Sequence, residues 1–85
     1  MNARALVARN IRRIRVARGL SQEVLAVDAG IDRTYVSRLE RHLENPTVAV
    51  LERISVALNC KVIDLFAATG ANRIATLKPG RKKRA

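Results

Sequence analysis

The chain has 85 residues, 48% of them hydrophobic but only 2% aromatic, and a formal net charge of +10. A chain of this length forms one small domain, and with few aromatic rings its core must be built from Leu, Ile, Val and Ala, which favours packed helices over a sheet. The chain has one cysteine and therefore no internal disulfide. We find no signal-peptide pattern, and no apolar run approaches the roughly 20 residues that span a bilayer. We therefore expect a cytoplasmic protein.

Apolar residues recur at three- and four-residue steps in five segments, which Gly and Pro separate. The pattern predicts a compact all-α fold of five helices, over residues 3–18, 22–29, 32–41, 48–58 and 61–67. Ser21, Asp32 and Thr47 are expected to cap the second, third and fourth helices, because their side-chain oxygens can accept backbone N–H groups. Residues 68–85, rich in Gly, Pro and bases, are expected to form a flexible basic tail after a single domain over 1–67.

Two of the predicted helices carry a clear apolar stripe that is expected to face the core. In the first helix the stripe consists of Val7, Ile11, Ile14 and Ala17. In the fourth helix it consists of Val48, Leu51, Ile54 and Leu58.

Positive charge is concentrated towards the two ends of the sequence. Residues 1–20 carry six arginines and no acid, residues 67–85 carry six bases and no acid, and residues 21–66 carry five bases against seven acids. A nearly balanced centre between two cationic segments suits a polyanionic partner. Nucleic acid and an anionic membrane surface both fit, and charge alone does not choose between them.

The segment from Gln22 to Leu39 joins two short predicted helices by a tight turn that begins at Gly30. Ala26 is small enough for the two helices to cross closely, and Gly30 can take the left-handed backbone conformation without steric cost. Val36 and Leu39 anchor the second of these helices to the core, which leaves its outer face free. A protruding helix of this kind can enter the major groove of DNA.

Three segments carry a resemblance to a known family: GLSQEVLAVDAGIDRTYVSRLE, NPTVAVLERISVAL and DLF. They are similar to the Cro/repressor-like helix-turn-helix domains of phage repressors and many bacterial regulators, also called the XRE family. The similarity runs from about Leu6 to Phe66. It implies a lambda-repressor-like bundle of five helices that binds double-stranded DNA at specific sequences and regulates transcription.

The resemblance assigns base contacts to the outer face of the predicted third helix. The implied base-contacting residues are Arg33, Thr34, Ser37 and Arg38. An arginine can hold O6 and N7 of guanine with both arms of its guanidinium group, and such a pair discriminates against a wrong base by about 1–3 kcal/mol.

Phosphate contacts are implied or expected at positions around that helix. They are Gln22, at the start of the second helix, and Arg15, Tyr35, Arg41 and Asn45. Tyr35 has two interpretations, since it can bind phosphate through its hydroxyl or pack on the second helix.

Arg15 and Glu40 match a family pair that forms a partly buried salt bridge. The chain departs from the family in the loop after the third helix. A glycine usually stands where this chain has His42, and bases often stand where it has Leu43 and Glu44.

The sequence gives little support for metal binding or catalysis. His42 and Cys60 have no partners at metal-ligand spacing, so we expect neither a metal nor a cofactor. No Ser/His/Asp set and no glycine-rich phosphate loop is present, so we do not expect an enzyme. The remaining arginines of the first helix are interpreted as a solvated face, and the basic tail either as a solubilising end or as a non-specific grip on phosphate.

These features predict a transcriptional repressor that binds a palindromic operator as a homodimer, in the cytoplasm at the nucleoid. The dimer contact is expected at the fifth helix, through Val62, Ile63 and Phe66, because these cannot all be buried in one monomer. An alternative is an antitoxin that neutralises a small protein toxin and represses its own operon. A weaker alternative is a protein that binds RNA or a membrane surface through charge alone.

Overall fold

The computed structural model describes residues 2–68 of the chain, and four α-helices and one 3₁₀ helix follow each other in that range. They are α1 (Ala3–Ala17), α2 (Gln22–Ala29), α3 (Arg33–Glu40), α4 (Val48–Leu58) and the 3₁₀ helix (Val62–Phe66). The all-helical class is confirmed. The expected count of five α-helices is not confirmed, because the last segment is a 3₁₀ helix. The predicted basic tail lies, from residue 69 onwards, outside the described residues.

Polar side chains start the α-helices at the predicted positions. Ser21, Asp32 and Thr47 accept hydrogen bonds from the backbone N–H groups of residues 24, 34 and 50, at 3.0, 2.9 and 3.1 Å. Asn2 does the same for α1, accepting from the N–H of Ala5 at 2.8 Å. Each cap satisfies one of the N–H groups that lack a partner in the first turn of a helix.

A single aliphatic core lies between the helices, built mainly from Leu, Ile and Val. The fully buried side chains include Ile11, Leu25, Val36, Leu39, Ile54, Leu58 and Leu65. Two expected core positions are wrong. Ala17 is exposed, while Ala8 is buried in α1. Val48 is 70% exposed, because it is the first residue of α4 and lies at the rim of the domain.

The 3₁₀ helix closes the core with one side chain and leaves others outside. In a 3₁₀ helix, residues three apart lie above one another. Leu65 is fully buried and Val62, on the same side, is half-buried. Ile63 and Phe66 share another side and are 72% and 43% exposed.

Asn10 of α1 holds the 3₁₀ helix in place from inside the domain. Its side chain is buried, and its Nδ2 donates to the carbonyl oxygens of Leu65 and Ala67, both at 2.9 Å. Its Oδ1 accepts from Nη2 of Arg13 at 3.2 Å. The buried amide therefore ties the last described segment to the first helix.

Arg18 ties α1 to the end of α4. Its Nε donates to the carbonyl oxygen of Leu58 at 2.7 Å and its Nη2 to that of Asn59 at 3.0 Å. These carbonyls lie at the negative end of the helix dipole, where a cation is favourable. Arg18 therefore belongs to the structural framework rather than to the solvated face expected for it.

Candidate nucleic-acid interface

The turn between α2 and α3 sets the angle at which α3 leaves the domain. Gly30 has φ of +70°, and its N–H donates to the carbonyl of Val27 at 3.2 Å, while the N–H of Ile31 donates to that of Ala26 at 2.9 Å. This is the Schellman pattern of helix termination. A Cβ atom at Gly30 would meet no atom within 4 Å, so glycine is needed there for its backbone angle rather than for space.

The helix crossing also depends on a small side chain. Ala26 is 3% exposed and belongs to the core, on the helix that packs directly against α3. The turn and the crossing together fix α3 with one face inward. That face carries Val36 and Leu39, both fully buried.

The opposite face of α3 is open to solvent. Residues 33, 34, 37, 38 and 41 are related by steps of three and four positions, so they share one face of a helix. Arg33, Thr34, Arg38 and Arg41 are exposed, and Ser37 is half-buried. Asn45, in the loop after α3, is also exposed. The residues for which base contacts were predicted thus lie together on α3.

Behind this face, three side chains from three elements form one network. Nε and Nη2 of Arg15 lie 2.6 and 3.0 Å from the two carboxylate oxygens of Glu40. The third nitrogen, Nη1, donates to the carbonyl of Leu20 at 2.7 Å. Nε2 of Gln22 donates to Glu40 Oε1 at 3.1 Å. The carboxylate of α3 is thereby joined to α1 and to the start of α2.

The network is well shielded from water. The side chains of Arg15 and Glu40 are 12% and 3% exposed. The hydrogen bond to Glu40 raises the pKa of Arg15 above its ordinary value, so the guanidinium stays charged at any physiological pH. Nε, Nη1 and Nη2 of Arg15 are each hydrogen-bonded within the protein, which supports the predicted salt bridge, and Nη1 and Nη2 each carry a second hydrogen for the predicted phosphate contact. Gln22 keeps its second amide hydrogen available for an outside acceptor.

Tyr35 has two predicted roles, phosphate binding through its hydroxyl or packing on the second helix. It is half-buried and packs against the core. Burial, with a smaller contribution from the negative charge of Glu44, raises the pKa of the Tyr35 hydroxyl. The group is therefore a neutral hydrogen-bond donor at neutral pH. The contact of this hydroxyl with phosphate stays a prediction.

The structure places a carboxylate beside Arg38 that sequence reasoning did not find. Nε of Arg38 lies 2.7 Å from Oε2 of Glu44, and its Nη2 donates to the carbonyl of Leu43 at 3.3 Å. The chain reverses at His42, whose φ is +66°. Because the two partners are six residues apart, helical spacing gives no signal for this pair.

A membrane span and a metal site are two features that the sequence makes improbable. Within residues 2–68, no helix combines the length and the apolar character that crossing a membrane requires. In the same range, no three side chains of His, Cys, Asp or Glu are grouped so that they could hold a metal ion.

Comparison with known proteins identifies the fold. The family model described as helix-turn-helix matches residues 11–65, more than half of the chain. A hypothetical transcription factor of Neisseria meningitidis serogroup B is 44% identical over 63 residues, which cover 74% of this chain. The match covers 59% of the length of that relative.

Solved structures give the same result in three dimensions. The restriction-modification controller protein C.AhdI from Aeromonas hydrophila superposes with a TM-score of 0.71 at 35% identity, over 73% of this chain and 94% of that one. The controller protein C.Esp1396I, solved as a tetramer in complex with its natural 35 base-pair operator, superposes with a TM-score of 0.72 at 35% identity, over 78% and 87% of the two chains. The resemblance to Cro/repressor-like domains is confirmed, and the chain belongs to the helix-turn-helix family.

Proposed function

We propose that this protein is a sequence-specific regulator of transcription that inserts α3 into the major groove of double-stranded DNA. The observation that carries the proposal is the division of α3 into two faces. Val36 and Leu39 are fully buried, whereas Arg33, Thr34 and Arg38 are exposed on the other side. A helix of eight residues that is anchored on one face and polar on the other has the size and chemistry of a recognition helix.

The exposed side chains suggest how base pairs are distinguished. Arg33, in the first turn of α3, and Arg38, one turn later, each offer two parallel N–H groups that match O6 and N7 of guanine. Thr34 and Ser37 add a methyl group and hydroxyls that suit thymine or adenine edges. A correct arginine–guanine pair discriminates by about 1–3 kcal/mol, so two arginines are enough for a clear preference.

Contacts with the sugar-phosphate backbone set the orientation of the helix. Gln22 lies at the N-terminus of α2, where backbone N–H groups and the helix dipole favour an anion. Its side chain is already held by Glu40, so its orientation is set before DNA arrives. Tyr35, Arg41 and Asn45 complete the proposed phosphate contacts. The net charge of +10 adds affinity that does not depend on sequence.

A homodimer on a palindromic operator follows from the small size of this reading surface. One short helix contacts too few base pairs for useful affinity, and two copies on half-sites one helical turn apart overcome that limit. Ile63 and Phe66, exposed by 72% and 43% beside half-buried Val62, supply an apolar surface for the second copy. A relative solved as a tetramer on its operator supports assembly on DNA.

We place this regulator in the repressor class, because a dimer that covers an operator excludes polymerase from overlapping DNA. The antitoxin alternative gains no support, since the matched relatives are named as transcription factors and controller proteins. Membership of the helix-turn-helix family also leaves no reason to expect catalysis.

Selection of bound sequences from a random double-stranded DNA library tests the proposal. We expect enrichment of a two-fold symmetric site. Arg33→Ala and Arg38→Ala should each weaken the preference at one base pair of every half-site, by about 5- to 150-fold, the equivalent of 1–3 kcal/mol.

Arg4→Ala is the matched control, since it removes one exposed arginine from outside α3. It should lower the affinity for all sequences alike and leave every preference unchanged. If no preferred sequence is recovered, the result contradicts sequence-specific binding. If the α3 variants lose affinity equally for all sequences, Arg33 and Arg38 contact phosphate only.

A further inference from the structure

One pair of charged residues lies where the proposed reading helix meets the following loop. Arg38 and Glu44 form an ion pair with 2.7 Å between Nε and Oε2. A second ion pair, between Arg15 and Glu40, is shielded in the network behind α3. The Arg38 side chain is 45% exposed, so its charged end reaches solvent on the face that the proposed function assigns to DNA.

The loop contacts one edge of the guanidinium group and leaves the other free. Nε and the adjacent hydrogen of Nη2 form the side edge of an arginine. Both are engaged, Nε by Glu44 and Nη2 by the carbonyl of Leu43 at 3.3 Å. Nη1 and the second hydrogen of Nη2 form the end of the group, and they have the parallel geometry that matches guanine O6 and N7.

Backbone hydrogen bonds at the end of α3 place Glu44 beside Arg38. The N–H of Leu43 donates to the carbonyl of Arg38 at 2.9 Å, and that of His42 to the carbonyl of Leu39 at 3.1 Å. With His42 in the left-handed conformation, these bonds fold the loop back over the end of α3. Glu44 is thereby brought beside Arg38, which lies in the last turn of α3.

We infer that Glu44 is a positioning residue, which holds Arg38 in the conformation that presents its end to a guanine. This inference rests on the proposed function of α3. A long, flexible side chain loses rotamer entropy when it binds, and a partner that holds it in advance reduces that loss. The pair is partly exposed and therefore weak, so it biases Arg38 without locking it.

A positioning role of Glu44 has a different effect on binding from that of a negative charge that only lies near DNA. A carboxylate that only repels phosphate lowers the affinity for every sequence alike. A carboxylate that orients Arg38 changes the preference at the base pair that Arg38 contacts. Comparing affinity with preference therefore separates the two roles.

The test uses the full chain and the random double-stranded DNA library, with three variants of the pair. Arg38→Ala first identifies the base pair that Arg38 contacts. Glu44→Ala removes both the charge and the contact, and should lower the preference at that base pair by about threefold to tenfold. Glu44→Gln removes the charge but keeps an acceptor of the same length, and should retain most of the preference. Both Glu44 variants should bind non-specific DNA more tightly.

Glu23→Ala is the matched control, because Glu23 is an exposed carboxylate in the first turn of α2 without an arginine partner. It should alter affinity without altering the preference at any base pair. In an Arg38→Ala background, Glu44→Ala should cause no further loss of preference.

Several outcomes would overturn the inference while the proposed function stands. In the first, Glu44→Ala leaves the preference at the base pair of Arg38 unchanged or increases it. Glu44 would then have no effect on base recognition by Arg38, or would compete with the base for Arg38. Another is a further loss of preference when Glu44→Ala is added to Arg38→Ala, since Glu44 would then act without Arg38. Enrichment of no sequence by the unaltered protein would instead refute the proposed function.

Discussion

At the scale of single residues, burial decides what a charge contributes. The pairs Arg15–Glu40 and Arg38–Glu44 have similar lengths, with 2.6 Å and 2.7 Å between Nε and a carboxylate oxygen. The Glu40 side chain is 3% exposed, and that of Glu44 is 26% exposed. A buried charge that loses its partner cannot recover its hydration, whereas an exposed one can.

Removal of each carboxylate should therefore have a different effect on stability. Glu40→Ala leaves Arg15 buried without its counter-ion and Gln22 without its acceptor, and should lower the free energy of unfolding by about 3 kcal/mol. Glu44→Ala should lower it by less than about 1 kcal/mol. Urea denaturation followed by circular dichroism at neutral pH measures both, with the Glu44 variant serving as the control. Equal losses would show that burial does not govern these pairs.

At the scale of elements, the ends of the helices are set by residues in the left-handed conformation. Gly30 after α2, His42 after α3 and Asn59 after α4 have φ of +70°, +66° and +57°. Glycine adopts this conformation freely and asparagine readily, because its short side chain can hydrogen-bond locally. His42 carries a Cβ atom in the same conformation, so the end of α3 is strained where Cro/repressor-like domains usually have glycine.

Replacement of this histidine should stabilise the protein. His42→Gly relieves the strain, and after allowance for the greater freedom of glycine in the unfolded chain we expect a gain of about 1 kcal/mol. For a domain of this size such a gain corresponds to a rise in Tm of about 4–8 °C. Thermal denaturation of the variant provides the measurement.

His42→Ala is the control for this experiment, since it removes the imidazole ring but keeps Cβ in the left-handed conformation. It should not gain comparable stability. A similar rise in Tm in both variants would attribute the effect to the ring rather than to the backbone angle.

At the scale of the whole molecule, residues 2–68 fold around one core and leave apolar side chains of the 3₁₀ helix exposed. Leu65 enters the core while Ile63 remains 72% exposed, because the 3₁₀ helix packs against the core on the side of Leu65 and Ile63 lies on another side. Asn10 holds this segment against α1 through two hydrogen bonds of 2.9 Å. The exposed side chains of the segment are therefore held in a fixed arrangement that a second copy can contact.

Ile63→Asp should weaken the proposed dimer. A carboxylate at the centre of an apolar contact loses its hydration, so sedimentation should show a shift towards monomer at concentrations where the unaltered protein is dimeric. Affinity for a DNA with two half-sites should fall more than affinity for a DNA with one. Val16→Asp, at an apolar residue of α1 that is 54% exposed, is the matched control and should change neither. A purely monomeric unaltered protein, with and without its selected DNA, would contradict the dimer.

The features that the sequence alone determined depend on interactions between residues close together in the chain. The caps at Ser21, Asp32 and Thr47, and the turn at Gly30, join groups within a few residues of each other, so spacing and residue type were sufficient to predict them. The alternation of buried and exposed positions in α3 is also local, since it follows from the period of the helix. The sequence was therefore enough to assign the helix-turn-helix and its outer face.

The tertiary structure decided the contacts between groups that the sequence separates. The amide of Asn10 meets carbonyls more than 50 residues away, and Arg18 meets the end of α4 about 40 residues away. Even Glu44, six residues from Arg38, is placed by a chain reversal at His42 that helical periodicity cannot describe. Polar partners of this kind depend on where the packed core brings the backbone, because hydrogen bonds form only at short range and in narrow directions.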